Sequence, residues 1–231
     1  SQGARIQRVD MSPSLTTSIA PPQAFDGDTI LWHWDIPLVI SRYDNERIYA
    51  LGSRLLRSDN RGDDWQVLSP NLSREIDRDT LPVMGRVWPE DAVWKNVFTN
   101  DYGIGVSFSE SRFDENLLYV GTDDGLIQRS EDGGTTWTEM DAFPGIPKLI
   151  YVSDVVASRH DPDRVYALFN NHKRGDFTPY AMRSDDRGAT WTSIASDLPA
   201  RNVTWVLEED PERDDLLFLG TEFGLFFTLD G

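Results

Sequence analysis

The chain has 231 residues, which is enough for one domain with a sizeable hydrophobic core. It carries 39 acidic and 22 basic residues, a formal net charge of −17, so nucleic acid and anionic membrane surfaces are poor partners. The absence of cysteine excludes disulfides, zinc–thiolate sites and a cysteine nucleophile. No apolar run approaches the length of a membrane span, and we expect no membrane insertion.

The N-terminal segment has the pattern of an outer β-strand. Residues 6–16 match the strand and polar turn that end each later repeat, but no turn motif precedes them. The start, Ser1-Gln2-Gly3, has neither an initiator Met nor a signal-peptide pattern, which predicts a mature or excised product. Two interpretations stay open: the chain is a piece of a longer repeat protein, or this strand completes the last repeat.

The rest of the chain repeats one order of elements: strand, acidic turn, strand, short turn, strand, Trp-bearing turn, strand. This order predicts four-stranded antiparallel blades. The approximate units are an outer strand and lead-in over 1–30, blades over 31–73, 102–145 and 150–199, and an incomplete blade over 202–231. An insertion covers 71–101, and its Pro89 predicts the start of a short helix over residues 89–96.

The Trp-bearing turn is the most regular feature of the sequence. Each full copy has Ser, then Asp or Asn two residues later, Gly two beyond that, and Trp three further on. The Asp side chain accepts backbone N–H bonds, Gly adopts a conformation that other residues resist, and Trp packs into apolar surroundings. The residues predicted to be structural here are Asn60, Trp65, Asp132, Trp137, Asp186 and Trp191, with Asp230 in an incomplete fourth copy.

This spacing resembles the Asp-box, or BNR repeat, of β-propeller proteins such as sialidases, xyloglucan hydrolases and sortilin-like receptors. Residues 32–38, 81–85, 170–177 and 220–227 also resemble bacterial sortilin (Vps10)-type BNR proteins, which are commonly labelled glycosyl hydrolases. Those proteins are much longer than this chain. Outside the Trp-bearing turns the likeness does not extend residue by residue, so it assigns no functional residue.

We therefore predict an all-β fold, a β-propeller of four-stranded antiparallel blades with Asp-box turns. About four blades are present, and we expect a fragment of a larger propeller because the usual range is about four to eight blades. In such folds, ligands bind at one end of the central channel, on the loops that lead into the innermost strands.

Those loops supply the candidate functional residues. Carboxylates beside aromatic rings are typical of a sugar site, where rings stack on the sugar and two acids share the proton transfers. The candidate catalytic residues are Asp35, Asp101 and Asp154, although a solvated or capping carboxylate is the competing interpretation for each. The candidate ligand-binding residues are Trp32, His33, Trp34, Tyr102, Tyr151, His172, Lys173 and Asp176. Residues 172–176 form an insertion with a His, two cations and an acid, for which a solvated hairpin is the alternative.

The sequence predicts no metal site and no cofactor. The three His residues lack ligand-like spacing. The acidic pairs Asp123-Asp124 and Asp185-Asp186 suggest Ca²⁺ ligands but lack a full ligand loop.

Two functions remain open. The first is a sortilin-like binding or scaffold module that recognises a glycan or peptide at the channel face. The alternative is a glycoside hydrolase with a carboxylate pair, which the sequence favours less because the acids of xyloglucan hydrolases sit in family motifs that are not found here. We also predict self-association through the incomplete blade edge, and a periplasmic or extracellular location in a bacterium.

Overall fold

The computed structural model describes residues 3–93, 95, 101–195 and 197–231. The N-terminal strands are β1 (Gln7–Met11), β2 (Ser14–Ser18), β3 (Ala24–Phe25) and β4 (Asp28–Thr29). Blade I consists of β5 (Leu38–Ile40), β6 (Ile48–Leu51), β7 (Leu55–Ser58) and β8 (Gln66–Val67). Blade II consists of β9 (Gly105–Glu110), β10 (Leu118–Thr122), β11 (Ile127–Ser130) and β12 (Thr138–Met140). Blade III consists of β13 (Tyr151–Ala157), β14 (Val165–Asn171), β15 (Asp176–Ser184) and β16 (Thr192–Ser193), and blade IV of β17 (Thr204–Glu209), β18 (Leu217–Thr221) and β19 (Gly224–Thr228).

The predicted all-β propeller fold is confirmed. In each blade, neighbouring strands pair antiparallel in chain order, with four strands in blades I to III and three in blade IV. Two short 3-10 helices, Arg78–Thr80 and His172–Arg174, are the helical elements of the described ranges. Neither is long and apolar enough to cross a bilayer.

The predicted helix in the insertion is wrong in its described part. Residues 89–93 form turns, held by bonds from Ala92 N–H to Pro89 C=O and from Lys95 N–H to Ala92 C=O. Each bond joins residues three apart in the chain, and residues 89–93 form no helix. Residues 94 and 96 of the prediction lie outside the described residues.

The three Trp-bearing turns, called box turns below, share one hydrogen-bond pattern. The buried Ser130 hydroxyl accepts from Gly134 N–H at 2.8 Å, and Ser184 accepts from Gly188 at 2.7 Å. The Asp186 carboxylate accepts from both the hydroxyl and the N–H of Thr190, and these bonds lower the pKa of Asp186 to about 2. The acidic turn of the same blade pairs a further donor, since Arg187 N–H donates to the Asp163 carbonyl at 2.7 Å and Gly133 N–H to the Asn116 carbonyl at 3.0 Å.

The first box turn makes the same bonds with an amide. The Asn60 Oδ1 accepts from Asp64 N–H at 2.8 Å, as the Asp oxygens do in the other copies. Its Nδ2 donates to the Asp64 carboxylate at 2.9 Å, where the other copies have a Thr hydroxyl donating to Asp. The donor and acceptor have exchanged places, so the turn keeps its shape with Asn.

Apolar side chains bury the blades against one another. The second strand of each blade carries an aromatic ring at the same position: Tyr49, Tyr119, Tyr166 and Phe218. The three tyrosines are at most 1% exposed, because each packs in a cluster with residues of the next blade. Phe218 is only partly buried, because within the described residues no blade follows it.

Blade IV presents an apolar face. Val206 and Leu225 flank Gly220 in register, and Phe227 lies beside Phe218 on the same side. Leu225 is 69% exposed and Phe227 is 65% exposed, far above the matching side chains of blades I to III. The outer strand β19 pairs only with β18 in the described part of the chain.

The N-terminal segment does not complete blade IV, so that interpretation is wrong. Strands β1 and β2 form a hairpin with each other. Ala4, Ile6 and Ile19 around this hairpin pack against Ile36 and Ala50 of blade I. The hairpin therefore covers the face of blade I that a preceding blade covers elsewhere.

The glycine of each box turn lies against the element before it. A Cβ on Gly62 would lie 2.7 Å from the Cβ of Ile19, and one on Gly134 would lie 3.0 Å from the Cβ of Leu68. Ile19 follows the hairpin and Leu68 follows β8. The N-terminal segment thus takes toward blade I the position that the end of blade I takes toward blade II.

This contact can be tested with two glycines of nearly equal φ. Gly62 has φ +92° and no room for a Cβ, whereas Gly27 has φ +91° and nothing within 4 Å. Both Gly→Ala changes carry backbone strain, but only Gly62→Ala also forces Ile19 away. We expect Gly62→Ala to lower the free energy of unfolding by about 1–3 kcal/mol more than Gly27→Ala, measured by urea denaturation. Equal losses would contradict the packing of the N-terminal segment on blade I.

Candidate functional site

Antiparallel pairing brings two sets of loops to one end of the blades. The segments leading into the inner strands lie at the same end as the turns between second and third strands. We call this end the lead-in face. The box turns and the acidic turns lie at the opposite end, called the box face, where Arg47 pairs with Asp59 and Arg164 pairs with Asp185.

A cavity of about 140 Å³ opens on the lead-in face between blades II and III. Blade II supplies its lead-in loop and the turn between β10 and β11, and blade III supplies the start of β13 and the end of β14. The 3-10 helix His172–Arg174 forms the remaining side. The side chains used below are Tyr102, Asp123, Tyr151, Asn170, Lys173 and Arg174.

Asp123 is the acid of this cavity. Its Oδ1 accepts from Gly103 N–H at 3.0 Å and from Ile104 N–H at 2.8 Å. Burial raises the pKa of Asp123 to about 7, although the two backbone donors act to lower it. Near neutral pH the group therefore exists both as an acid that donates a proton and as a carboxylate that accepts one.

Two tyrosines form walls of the cavity. Burial raises the pKa of Tyr151 to about 12, with smaller contributions from the carboxylates of Asp123 and Asp35. Both carboxylates therefore act on the same phenol. The Lys173 ammonium lies 5.3 Å from the centre of the Tyr151 ring, within the range of a cation–π contact. Burial also raises the pKa of Tyr102, so both phenols stay protonated at neutral pH.

Two buried polar atoms of the cavity make no hydrogen bond of good geometry in the described part of the chain. Asn170 is 2% exposed and its Nδ2 makes no hydrogen bond within the described residues. Its Oδ1 is paired with His172 Nδ1 at 2.9 Å, which leaves the amide N–H groups free. The Tyr102 hydroxyl is also buried and makes no hydrogen bond of good geometry within the described residues, although the Arg174 guanidinium is close enough to act on it. Such groups are costly unless water or a ligand pairs with them.

The structure brings together some of the predicted site residues. Tyr102, Tyr151 and Lys173 line the cavity. Asp35 is exposed and close enough to influence Tyr151 electrostatically. The His172 ring lies 5.4 Å from the Trp205 ring, beside the cavity, and its Nδ1 orients Asn170.

Asp154 lies deeper, between three blades. Its carboxylate accepts from the Ser107 hydroxyl of blade II at 3.2 Å and from Leu207 N–H of blade IV at 3.1 Å. Burial raises its pKa to about 6, against the effect of these bonds. Asp176 accepts from the Tyr180 hydroxyl, the Asn171 amide and Thr178 N–H, which lower its pKa despite partial burial.

The remaining predicted residues lie outside the cavity. Trp32 packs beside Gly52 with the N-terminal core, and Trp34 is 56% exposed. The ring of His33 accepts from Asp35 N–H at 3.1 Å, and Asp101 is exposed. Asn100, which precedes Asp101 on the same loop, lies outside the described residues.

Sequence reasoning gave Asp123 no role beyond a weak calcium signal. Asp123 follows β10 directly, in the turn to β11. In an antiparallel blade this turn lies at the same end as the lead-in loops, so the topology alone places it on this face. The neighbouring Asp124 is structural, since its carboxylate accepts from Arg74 N–H at 2.7 Å and from the Thr122 hydroxyl at 2.6 Å. Within the described ranges no three His, Asp or Glu side chains are grouped to hold a metal ion.

Comparison with known proteins supports the fold and gives a similarity in sequence to a xyloglucanase. Over 145 residues the chain is 30% identical to a xyloglucanase, Xgh74A, of Acetivibrio thermocellus, a match that covers 57% of this chain. The chain spans only 17% of that protein. No family model matches the chain.

The solved structures show the fold alone. An ancestral GH74 enzyme superposes with a TM-score of 0.60 at 12% identity, covering 88% of this chain and 25% of the enzyme. A chain from the outer coat vertex of COPII on membranes gives a TM-score of 0.58 at 8% identity, covering 98% and 53%. These two proteins differ in role, which is expected for propellers, because function depends on the site and not on the fold.

The raised pKa of Asp123 predicts a pH dependence of stability. The folded state keeps a proton that the unfolded state loses near pH 4, so this contribution is present below about pH 4 and is lost as pH rises through about 7. The amide of Asp123→Asn can still accept both backbone bonds but carries no charge. We expect this variant to be more stable than the parent by about 1–3 kcal/mol at pH 8, with the difference shrinking toward pH 4. Urea denaturation at several pH values measures it, and Asp44→Asn in an exposed turn is the control.

A difference between Asp123→Asn and the parent that does not change with pH would contradict the assignment.

Proposed function

We propose that this chain forms a glycan-binding face of a glycoside-hydrolase-like β-propeller, with the sugar bound in the cavity between blades II and III. The observation that carries the proposal is the pairing of aromatic walls, Tyr102 and Tyr151, with buried donors that make no hydrogen bond of good geometry within the described residues. A sugar offers apolar ring faces and hydroxyl groups, so it requires both kinds of contact.

The sequence similarity to a xyloglucanase supports a carbohydrate ligand over a peptide. The likeness to sortilin-type proteins supports the role of a binding module, and the two fit together if the chain binds a glycan. A periplasmic or extracellular location fits a polysaccharide ligand and remains part of the proposal.

The test is binding of xyloglucan oligosaccharides and a wider glycan panel, measured by isothermal titration calorimetry. Tyr151→Leu keeps an apolar side chain but removes the ring, and we expect about tenfold weaker binding of whichever glycan binds the parent. Phe113→Leu is the matched control, because Phe113 is exposed on the box face. Unchanged affinity of the Tyr151 variant, or no binding by the parent, would contradict the proposal.

Hydrolysis is the second candidate, favoured by the pKa of Asp123. A carboxyl that titrates near pH 7 is suited to donate a proton to a leaving group. Asp35 acts on the same tyrosine and is the candidate second carboxylate. Glycoside hydrolysis needs such a pair on either side of the scissile bond.

The hydrolysis candidate is tested by release of reducing ends from xyloglucan and other polysaccharides. We expect Asp123→Asn to lower the rate about 100-fold or more, with Asp35→Asn also impaired. Binding by the Asp123 variant should persist, since its backbone contacts are kept. If Asp154→Asn abolished hydrolysis and Asp123→Asn did not, the proton donor would be Asp154 on the inner strand of blade III. That result would contradict the assignment to Asp123.

A further inference from the structure

Two cations, Lys173 and Arg174, line the cavity of a strongly acidic protein. Two more, Lys148 and Arg201, lie on the segments that lead into blades III and IV at the same end, which makes a group of four. The chain has only three lysines, and two of them are in this group. With a net charge of −17, such a local concentration is not explained by solubility.

These cations form no ion pairs. Most arginines of the described ranges are paired with carboxylates, for example Arg187 with both Glu131 and Asp163. By contrast, no ion pair of the described residues includes any member of this group. Arg174 donates to the Leu149 carbonyl, and Arg201 lies over the Phe177 ring at 5.2 Å. The positive charges of Lys173 and Arg174 therefore act inside the cavity, where Lys173 also acts on Asp123 and Arg174 on Tyr102.

The free polar groups of the cavity are donors. Asn170 Nδ2 and the Tyr102 hydroxyl are buried and make no hydrogen bond of good geometry within the described residues. Because Asn170 Oδ1 accepts from the His172 ring, the amide N–H groups point away from that ring. Lys173 adds further N–H groups from an exposed position at the rim. An anion accepts hydrogen bonds and donates none, so it matches this set better than a hydroxyl group does.

Asp123 is the one acid that lines the cavity in the described residues. As an ionised carboxylate it would repel an anion. Because its pKa is raised to about 7, it is largely protonated in mildly acidic solution and then acts as a further donor.

We propose that the cavity binds the carboxylate of an acidic sugar, a hexuronic acid within a glycan, through Asn170, Tyr102, Lys173 and Arg174. This inference rests on the proposed function and names its ligand class. The volume of about 140 Å³ suits the substituent of one sugar unit and leaves the rest of the glycan on the surrounding loops.

The experiment compares a β-1,4-linked glucose tetrasaccharide with the β-1,4-linked glucuronic acid tetrasaccharide. The two ligands differ only at C6, and binding is measured by calorimetry at pH 6 and low salt. We expect the acidic ligand to bind about tenfold more tightly, and Lys173→Gln to remove about five- to tenfold of its affinity, a larger loss than for the neutral ligand. Arg42→Gln removes a cation without an ion pair from the box face and should change neither affinity.

The outcomes separate the two proposals. Tighter binding of the acidic ligand that depends on Lys173 supports the inference. Equal affinity for both ligands, or an acidic preference that Lys173→Gln and Arg42→Gln reduce alike, overturns it and leaves glycan binding intact. Absence of binding to both ligands and to the wider glycan panel overturns the proposed function as well. A 6-O-sulfated glucose tetrasaccharide serves as a further ligand. If it binds more tightly than the glucuronic acid tetrasaccharide, the preferred anion is a sulfate ester and the hexuronic acid assignment is overturned.

Discussion

A blade cannot bury its own two faces, and this constraint determines the rest of the structure. A four-stranded sheet of short strands has an apolar side chain on each side of its second strand, so stability comes from the neighbour. Tyr49, Tyr119 and Tyr166 show the arrangement, since each ring is covered by the following blade. The first blade is covered by the N-terminal hairpin and the last is not covered within the described residues.

The same dependence appears in the polar contacts between blades. The buried Glu110 of blade II accepts from the Ser41 hydroxyl at 2.8 Å and from Arg42 N–H at 3.1 Å in blade I. Glu209 of blade IV accepts in the same way from Ser158 and Arg159 of blade III. Each carboxylate satisfies a turn of its neighbour, so the inner strands are held in register across the blade boundary. Between blades II and III, Val155 N–H donates to the Ser107 hydroxyl at 2.9 Å and Ala157 N–H to the Ser109 hydroxyl at 3.0 Å. These bonds fix the two inner strands beside the cavity that Asp123 and Tyr151 line.

Local patterns in the sequence were sufficient for the blades and the box turns, because those depend on residues close in the chain. The strands around Tyr119 and Tyr166 are apolar runs between turn residues. The turn at Asp132 is set by bonds among Ser130, Asp132 and Thr136, within seven consecutive residues. The position of the N-terminal hairpin is determined by the blade that its residues cover, and that blade is distant in the chain. Nothing in the sequence of residues 6–16 indicates which blade it is. The role of Asp123 depends on burial by Tyr102 and Tyr151, which lie far from it in sequence or on another blade. The sequence predicted Tyr102, Tyr151 and Lys173 at the lead-in face because the position of a loop follows from the order of the strands. The pKa of a carboxyl group does not follow from strand order, so the role of Asp123 was not predicted.

The glycines of the box turns connect the local turn to the curvature of the whole assembly. Each one occupies a left-handed backbone conformation and also sits where a single methyl group would collide with the preceding element. The outer rims of adjacent blades can therefore approach more closely than any other residue would allow, while bulky rings such as Tyr49 and Phe108 fill the space nearer the axis. The distance between the outer edges of neighbouring blades is therefore limited by a residue that has no side chain, and the same glycine closes the box turn.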